Sequence, residues 1–143
     1  MRSPAPTLYP LMRFRDAPAA IEFLQRAFGF TVRQVVPGPE GMIMHAELSF
    51  GPGVLMIGSD RDDPRLGPRA GLGWIYTAVD DADAHCERAR TAGAEIVSEP
   101  YDTEYGSHDY TARDPEGNQW HFGTYRPSAD TPSDGQALAS QVR

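Results

Sequence analysis

One strand–helix–strand pattern occurs twice in this chain, and that duplication limits the fold more than any other feature. In the first copy an alternating segment, Leu11 to Phe14, leads to Asp16, then a helical stretch from Ala17 to Phe28, then Gly29. In the second, Trp74 to Val79 leads to Asp80-Asp81, a helical stretch from Ala82 to Ala92, and Gly93. Asp16 suits an N-cap, because its short carboxylate can accept an orphan N–H of the first turn. Gly29 suits the left-handed position just past a helix end. Asp81 and Gly93 take the same places, and the two spacings are 13 and 12 residues. Ala17, Ala20, Ile21, Leu24 and Phe28 share one helical face; Ala82, Cys86, Ala89 and Ala92 share the other helix's face.

The repeat continues beyond the helices. Each copy then has a short strand (Phe30 to Val36; Ala94 to Ser98), a loop and a hairpin. The first hairpin is Met42 to Phe50, turn Gly51-Pro52-Gly53, then Val54 to Gly58. The second is His108 to Ala112, turn Asp114 to Asn118, then Gln119 to Tyr125. Each turn pairs Pro, which pre-sets φ, with Gly, which tolerates positive φ. His45 lies seven residues before Pro52, and His108 seven before Pro115. The unit reads βαβββ, twice, which makes an α+β domain over 1–126. Module one spans about 8–60 and module two 74–126. A linker rich in Asp, Arg, Pro and Gly (61–73) joins them. The Ser-, Pro- and Gln-rich tail, 127–143, reads as flexible, with Gln136 to Val142 its one helix-compatible stretch.

At 143 residues the chain fits one domain with an ordinary core. A single cysteine, Cys86, excludes an internal disulfide and makes a reducing, cytoplasmic setting the default. Met1 to Pro10 has no apolar run like a signal peptide's, and no stretch is long enough for a membrane helix. The net charge of −7 argues against nucleic acid or an anionic membrane as partner and favours cationic small molecules. Every basic residue is Arg, as in a GC-rich, bacterial coding bias.

Strand alternation sorts the side chains. Met44, Ala46, Leu48 and Phe50 share one face; His45, Glu47 and Ser49 share the other. Met12 and Phe14 oppose Leu11 and Arg13, Ile75 and Thr77 oppose Trp74 and Tyr76, and Trp120 and Phe122 oppose His121. Each sheet therefore has an apolar face for its helix. The other face mixes Arg13, His45, Glu47, Trp74, Tyr76 and His121, the mixture of a concave ligand surface.

The segment Tyr105-Gly106 through Arg113-Asp114-Pro115-Glu116-Gly117-Asn118 to His121-Phe122 resembles the C-terminal signature of bleomycin-resistance proteins. Met12-Arg13-Phe14-Arg15-Asp16, with the helix to Phe28-Gly29-Phe30, resembles the N-terminal module of the vicinal oxygen chelate superfamily, which includes the glyoxalases. The resemblance covers about residues 8 to 126. It implies two curled sheets around a cleft, and a homodimer whose clefts both modules complete. It also implies four positions for a divalent metal, which Tyr9, Met56, Trp74 and His121 fill here. A catalytic metal site wants about three protein ligands and an open position. Met is a soft ligand, Trp offers no in-plane lone pair, and Tyr must first ionise. No cofactor is therefore expected, and a divalent metal is disfavoured.

Two functional classes follow. The first is a non-catalytic small-molecule binder, sequestering an antibiotic or similar guest, with Tyr9, Trp74 and Tyr76 offering flat faces to a polar aromatic or cationic ligand. Arg13, His45, Glu47, Met56 and His121 would complete the site. The second is a metal-dependent lyase, isomerase or dioxygenase, or a metal-free enzyme with His121 as general base and Arg13 stabilising an anion. His45, Glu47 and His121 would be its displaced ligands. Cys86 reads as core and His85 as surface. His108 and Asp109 are strand neighbours that point to opposite faces, and Tyr101, Tyr105 and Tyr110 either line the cleft or pack. No nucleophile elbow, P-loop or dinucleotide fingerprint is present.

Overall fold

Each copy builds one mixed four-stranded sheet with a helix on it in the computed structural model, which describes residues 6–62, 65 and 72–127. Module one comprises β1 (Leu11–Phe14), α1 (Ala17–Phe23), β2 (Thr31–Pro37), β3 (Ile43–Phe50) and β4 (Gly53–Ser59), in the sheet order β1-β4-β3-β2. Module two comprises β5 (Trp74–Ala78), α2 (Ala82–Thr91), β6 (Glu95–Asp102), β7 (His108–Arg113) and β8 (Gln119–Gly123), in the order β5-β8-β7-β6. In each sheet the first strand runs parallel to the last, Leu11 beside Met56 and Tyr76 beside His121. Two βαβββ modules are thus present as the repeat implied. Most of the linker, and the tail beyond residue 127, lie outside the described residues.

Both helices start and stop where their caps require. Asp16 accepts from the Ala19 amide at 3.1 Å and Asp81 from the Ala84 amide at 3.0 Å. Gly29 and Gly93 sit at φ 88° and 96°, the left-handed region that glycine enters at least cost. The first helix does reach Phe28, but its last turn, Leu24–Phe28, is a π-helix. That turn ends in Phe28, whose ring lies 4.8 Å from Phe122 and 5.4 Å from Trp120 in module two. Phe30 stands 5.6 Å from Trp120. Helix-bearing faces of both sheets therefore share one core, in which Phe14, Leu48, Ile57, Tyr110, Trp120 and Phe122 are fully buried.

The turn that carries the family resemblance is a brace. The Asp114 carboxylate accepts from the Glu116 and Asn118 amides, the Asn118 side chain and the Trp120 indole, all within 3.2 Å. The Glu116 carboxylate accepts from the Arg15 and Asp16 amides at 2.7 and 2.8 Å. Module two thereby holds the start of α1 in module one.

Three readings of the sequence need correction. The strand after α2 runs to Asp102 rather than Ser98, because β6 is an edge strand and Pro100 costs no ladder bond there. His85 is not a surface residue. Its Nε2 donates to the Phe28 carbonyl at 2.8 Å, its Nδ1 accepts from the Tyr110 hydroxyl at 2.5 Å, and its ring packs 4.3 Å from Phe122. Its neighbour Cys86 is fully buried, as expected. Finally, equal spacing from the two turn prolines does not give equal sheet positions. Phe50 pairs with Gly53 across a short turn, whereas Arg113 pairs with Gln119 across 114–118. Ala46 pairs with Ile57 and Tyr110 with Phe122, all four on helix faces, so the counterpart of His45 is Asp109. His108 sits on the helix side instead, bonded to Asp83 of α2 at 2.9 Å and to Asp102 at 2.8 Å.

Candidate functional site

Alternation leaves each sheet a second face, turned away from the shared core. On module two it carries Trp74 and Tyr76 from β5, His121 and Gly123 from β8, and Asp109 and Thr111 from β7. Trp74 lies flat on His121, with ring centroids 4.9 Å apart and planes 12° from parallel, and Trp74 remains 69% exposed. His121 Nδ1 meets the Thr111 hydroxyl at 2.9 Å. Its Nε2 is shielded and has no hydrogen-bond partner among the described residues. Burial holds the His121 pKa below its usual value, against the pull of the Asp109 charge. The Tyr76 hydroxyl donates to the Tyr125 carbonyl at 2.6 Å, and burial raises its pKa.

On module one the corresponding face carries Arg13, His45, Glu47 and Met56. His45 Nε2 and Glu47 Oε2 are 2.9 Å apart, and Glu47 stands beside Met56 in the β3–β4 ladder. Arg13 approaches Asp60 at 3.7 Å. Tyr9 precedes β1, and its hydroxyl donates to the Pro6 carbonyl at 2.7 Å.

The eight residues singled out in the sequence thus fall into two sets. Among the described residues, no hydrogen bond, ion pair or ring contact joins His45, Glu47 or Met56 to Trp74, Tyr76 or His121. Tyr9, Met56, Trp74 and His121 were expected to meet in one groove; within one chain they stand on two modules. The shared core explains the difference: burying both helix faces together turns the polar faces outward. Ser107, Asp109 and Tyr105 belong to the module-two face; of these, the sequence leaves Tyr105 between cleft and packing, brings in Asp109 only as the strand neighbour of His108, and does not single out Ser107. Counting by twos back from His121, through its ladder partner Thr111, would have placed Asp109 there.

The four metal positions of the resemblance do not fit an ion. Met56 offers a soft thioether, Trp74 no in-plane lone pair and Tyr9 a phenol that donates to the Pro6 carbonyl, so one imidazole, His121, is the sole strong donor. Among the described residues no three or more His, Cys, Asp or Glu side chains are grouped to hold a metal. A mostly apolar cavity of about 280 Å³ lies between the modules, lined by Phe30, Phe50, Leu55, Ile75 and Trp120 and reached by Tyr76 and Arg126. No described helix is long and apolar enough to cross a membrane.

Comparison with known proteins agrees with this architecture. Residues 8–122 match the model of the Glyoxalase/Bleomycin resistance protein/Dioxygenase superfamily. An uncharacterised protein of Mycobacterium bovis is 33% identical over 125 residues, covering 82% of each chain. An uncharacterised protein of Mycobacterium tuberculosis is also 33% identical, covering 82% of this chain and 74% of its own. Among solved structures, TioX from Micromonospora sp. ML1 superposes with a TM-score of 0.73 at 29% identity, over 83% of this chain and 98% of that one. Glyoxalase I from Zea mays superposes with a TM-score of 0.67 at 22% identity, over 85% of this chain and 45% of that one, a likeness of fold. The chain belongs to the glyoxalase/bleomycin resistance protein/dioxygenase superfamily.

Proposed function

We propose that this protein binds a small molecule with a flat aromatic part and a polar or cationic group, in the manner of antibiotic sequestration and without a family-type metal centre. The observation that carries the reading is Trp74, a large indole left 69% exposed on a sheet face and held flat by His121. Covering apolar surface is worth roughly 25 cal/mol per Å². Ring stacking adds about 0.5–1.5 kcal/mol, and a cation over the ring a comparable amount. The net charge of −7 favours a cationic guest.

A second copy of the chain would supply the far wall. Among the described residues β1 and β5 each end their sheet as an edge, and Leu11 and Trp74 on them are 62% and 69% exposed. A homodimer joined there sets Arg13, His45, Glu47 and Met56 of one copy opposite Trp74, Tyr76 and His121 of the other.

The competing reading, a metal-dependent lyase, isomerase or dioxygenase, draws on His121 alone among the four expected ligand positions. A thermal-shift screen of planar cations, run on wild type and Trp74→Ala with elemental analysis of the dialysed protein, separates the two. The expected result is a rise in Tm of several degrees for at least one planar cation in wild type and none in Trp74→Ala, because a ligand at about 100 times its Kd adds about 2.7 kcal/mol. Absence of any shift would remove the support for sequestration, and one divalent ion bound per chain would favour the enzyme.

A further inference from the structure

Asp109 is the least expected group on the module-two face. Its residue is only 8% exposed, and it lies opposite Gly123 across the β7–β8 ladder. A Cβ at Gly123 would stand 2.0 Å from Asp109 Oδ1 and 2.8 Å from the Tyr76 hydroxyl. The absent side chain is therefore what lets the carboxylate reach over β8 toward β5.

Its partners are neutral. The Ser107 hydroxyl donates to Oδ1 at 2.5 Å, and the Tyr105 hydroxyl reaches Oδ2 only at 3.4 Å. No ion pair of the described residues includes it. His121, the nearest titratable base on the face, is held toward its neutral form by burial. A buried acid with only neutral partners is a ready acceptor for a cation arriving beside it. Aromatic groups surround the position. Tyr76 approaches from β5, and Tyr105 packs edge-on against Tyr125 at 5.8 Å. The Trp74–His121 stack begins one residue pair along the same two strands.

We propose that Asp109 is the anchor for a protonated amine of the ligand, with Tyr76 and Tyr105 as its walls and the ligand's flat part lying on Trp74. This rests on the small-molecule reading above and names the ligand class: a planar aromatic carrying an ammonium group on a short arm. One ammonium N–H replaces the long Tyr105 contact at Oδ2, and the Tyr76 and Tyr105 hydroxyl oxygens stand ready to accept the others. Gly123 is then a specificity residue, since a side chain there would fill the space the carboxylate occupies.

Calorimetric titration with 1-naphthylmethylammonium and its neutral isostere 1-naphthalenemethanol tests the anchor. Wild type should bind the ammonium at least about tenfold tighter than the alcohol. Asp109→Asn should remove that preference, with an unchanged Trp74 indole N–H resonance in the free variant reporting a folded face. Should Asp109→Asn fail to fold, the Asp109 carboxyl ¹³C resonance of wild type serves instead, moving with the ammonium and not with the alcohol. Equal affinity of wild type for both probes, a preference that survives Asp109→Asn, or an unmoved carboxyl resonance would overturn the anchor while the stacking platform stands. Failure of both probes to bind would overturn the stacking platform as well.

Discussion

The indole N–H of Trp120 donates to the carboxylate of Asp114 at 3.0 Å, which fastens the module-two turn to the floor of the shared core. The same carboxylate serves three further donors of residues 116–118. Asp114→Ala strands several buried donors at once, and an unpaired buried donor costs about 1–3 kcal/mol. The expected loss is about 3–5 kcal/mol in urea unfolding, with Asp114→Asn milder because an amide still accepts.

Gly123 and Gly58 hold equivalent places in the two sheets but face different neighbours. A Cβ on Gly123 meets the Asp109 carboxylate at 2.0 Å, whereas one on Gly58 meets the Met44 carbonyl at 3.4 Å. Gly123→Ala should destabilise by about 1–3 kcal/mol, as overpacked sites do. Gly58→Ala should stay within about 1 kcal/mol of wild type, and chemical unfolding of the pair checks the contrast.

Acidification acts on His85 and His108 with opposite signs. Burial holds His85 below its ordinary value of 6.5, so the unfolded chain takes up the proton first. Stability is therefore lost as pH falls through about 6.5 toward the folded-state pKa. His121, also lowered by burial, has the same sign. Asp83 and Asp102 raise His108, whose contribution is complete below about 6.5 and is lost as pH rises through its folded-state pKa. Urea midpoints measured between about pH 5 and 8 should show a smaller acid-side loss in His85→Gln and a larger one in His108→Gln than in wild type.

The two tryptophans should differ sharply in their worth to stability. Trp120 is fully buried and Trp74 is 69% exposed. Trp120→Ala should cost about 3–5 kcal/mol, and Trp74→Ala no more than about 1 kcal/mol. Equal losses in denaturant unfolding would mean that Trp74 is part of a core.

The repeat, the two N-caps and both left-handed glycines were legible because they depend on neighbours in sequence. Strand parity placed Trp74 and His121 on one face and Trp120 and Phe122 on the other for the same reason. What local pattern could not reveal was how the modules meet. The π turn at Phe28, the His85 bridge to Phe28 and Tyr110, and the grip of Glu116 on the Arg15 and Asp16 amides all depend on contacts between modules. Asp109 was hidden by a turn longer than its counterpart, which shifted the comparison with module one by a residue. By that shift His108, which shares the spacing of His45, serves a helix, while the sheet position of His45 is held by the carboxylate beside His121.

The central claim is that a guest lies against Trp74 on the outward face of module two. The two indole N–H resonances report it directly, since one indole is at the site and the other is under the opposite face of the same sheet. Titration of ¹⁵N-labelled protein with 1-naphthylmethylammonium should move the Trp74 resonance progressively to saturation and leave Trp120 in place. A moving Trp120 resonance beside a fixed Trp74, or no movement of either, would contradict the account.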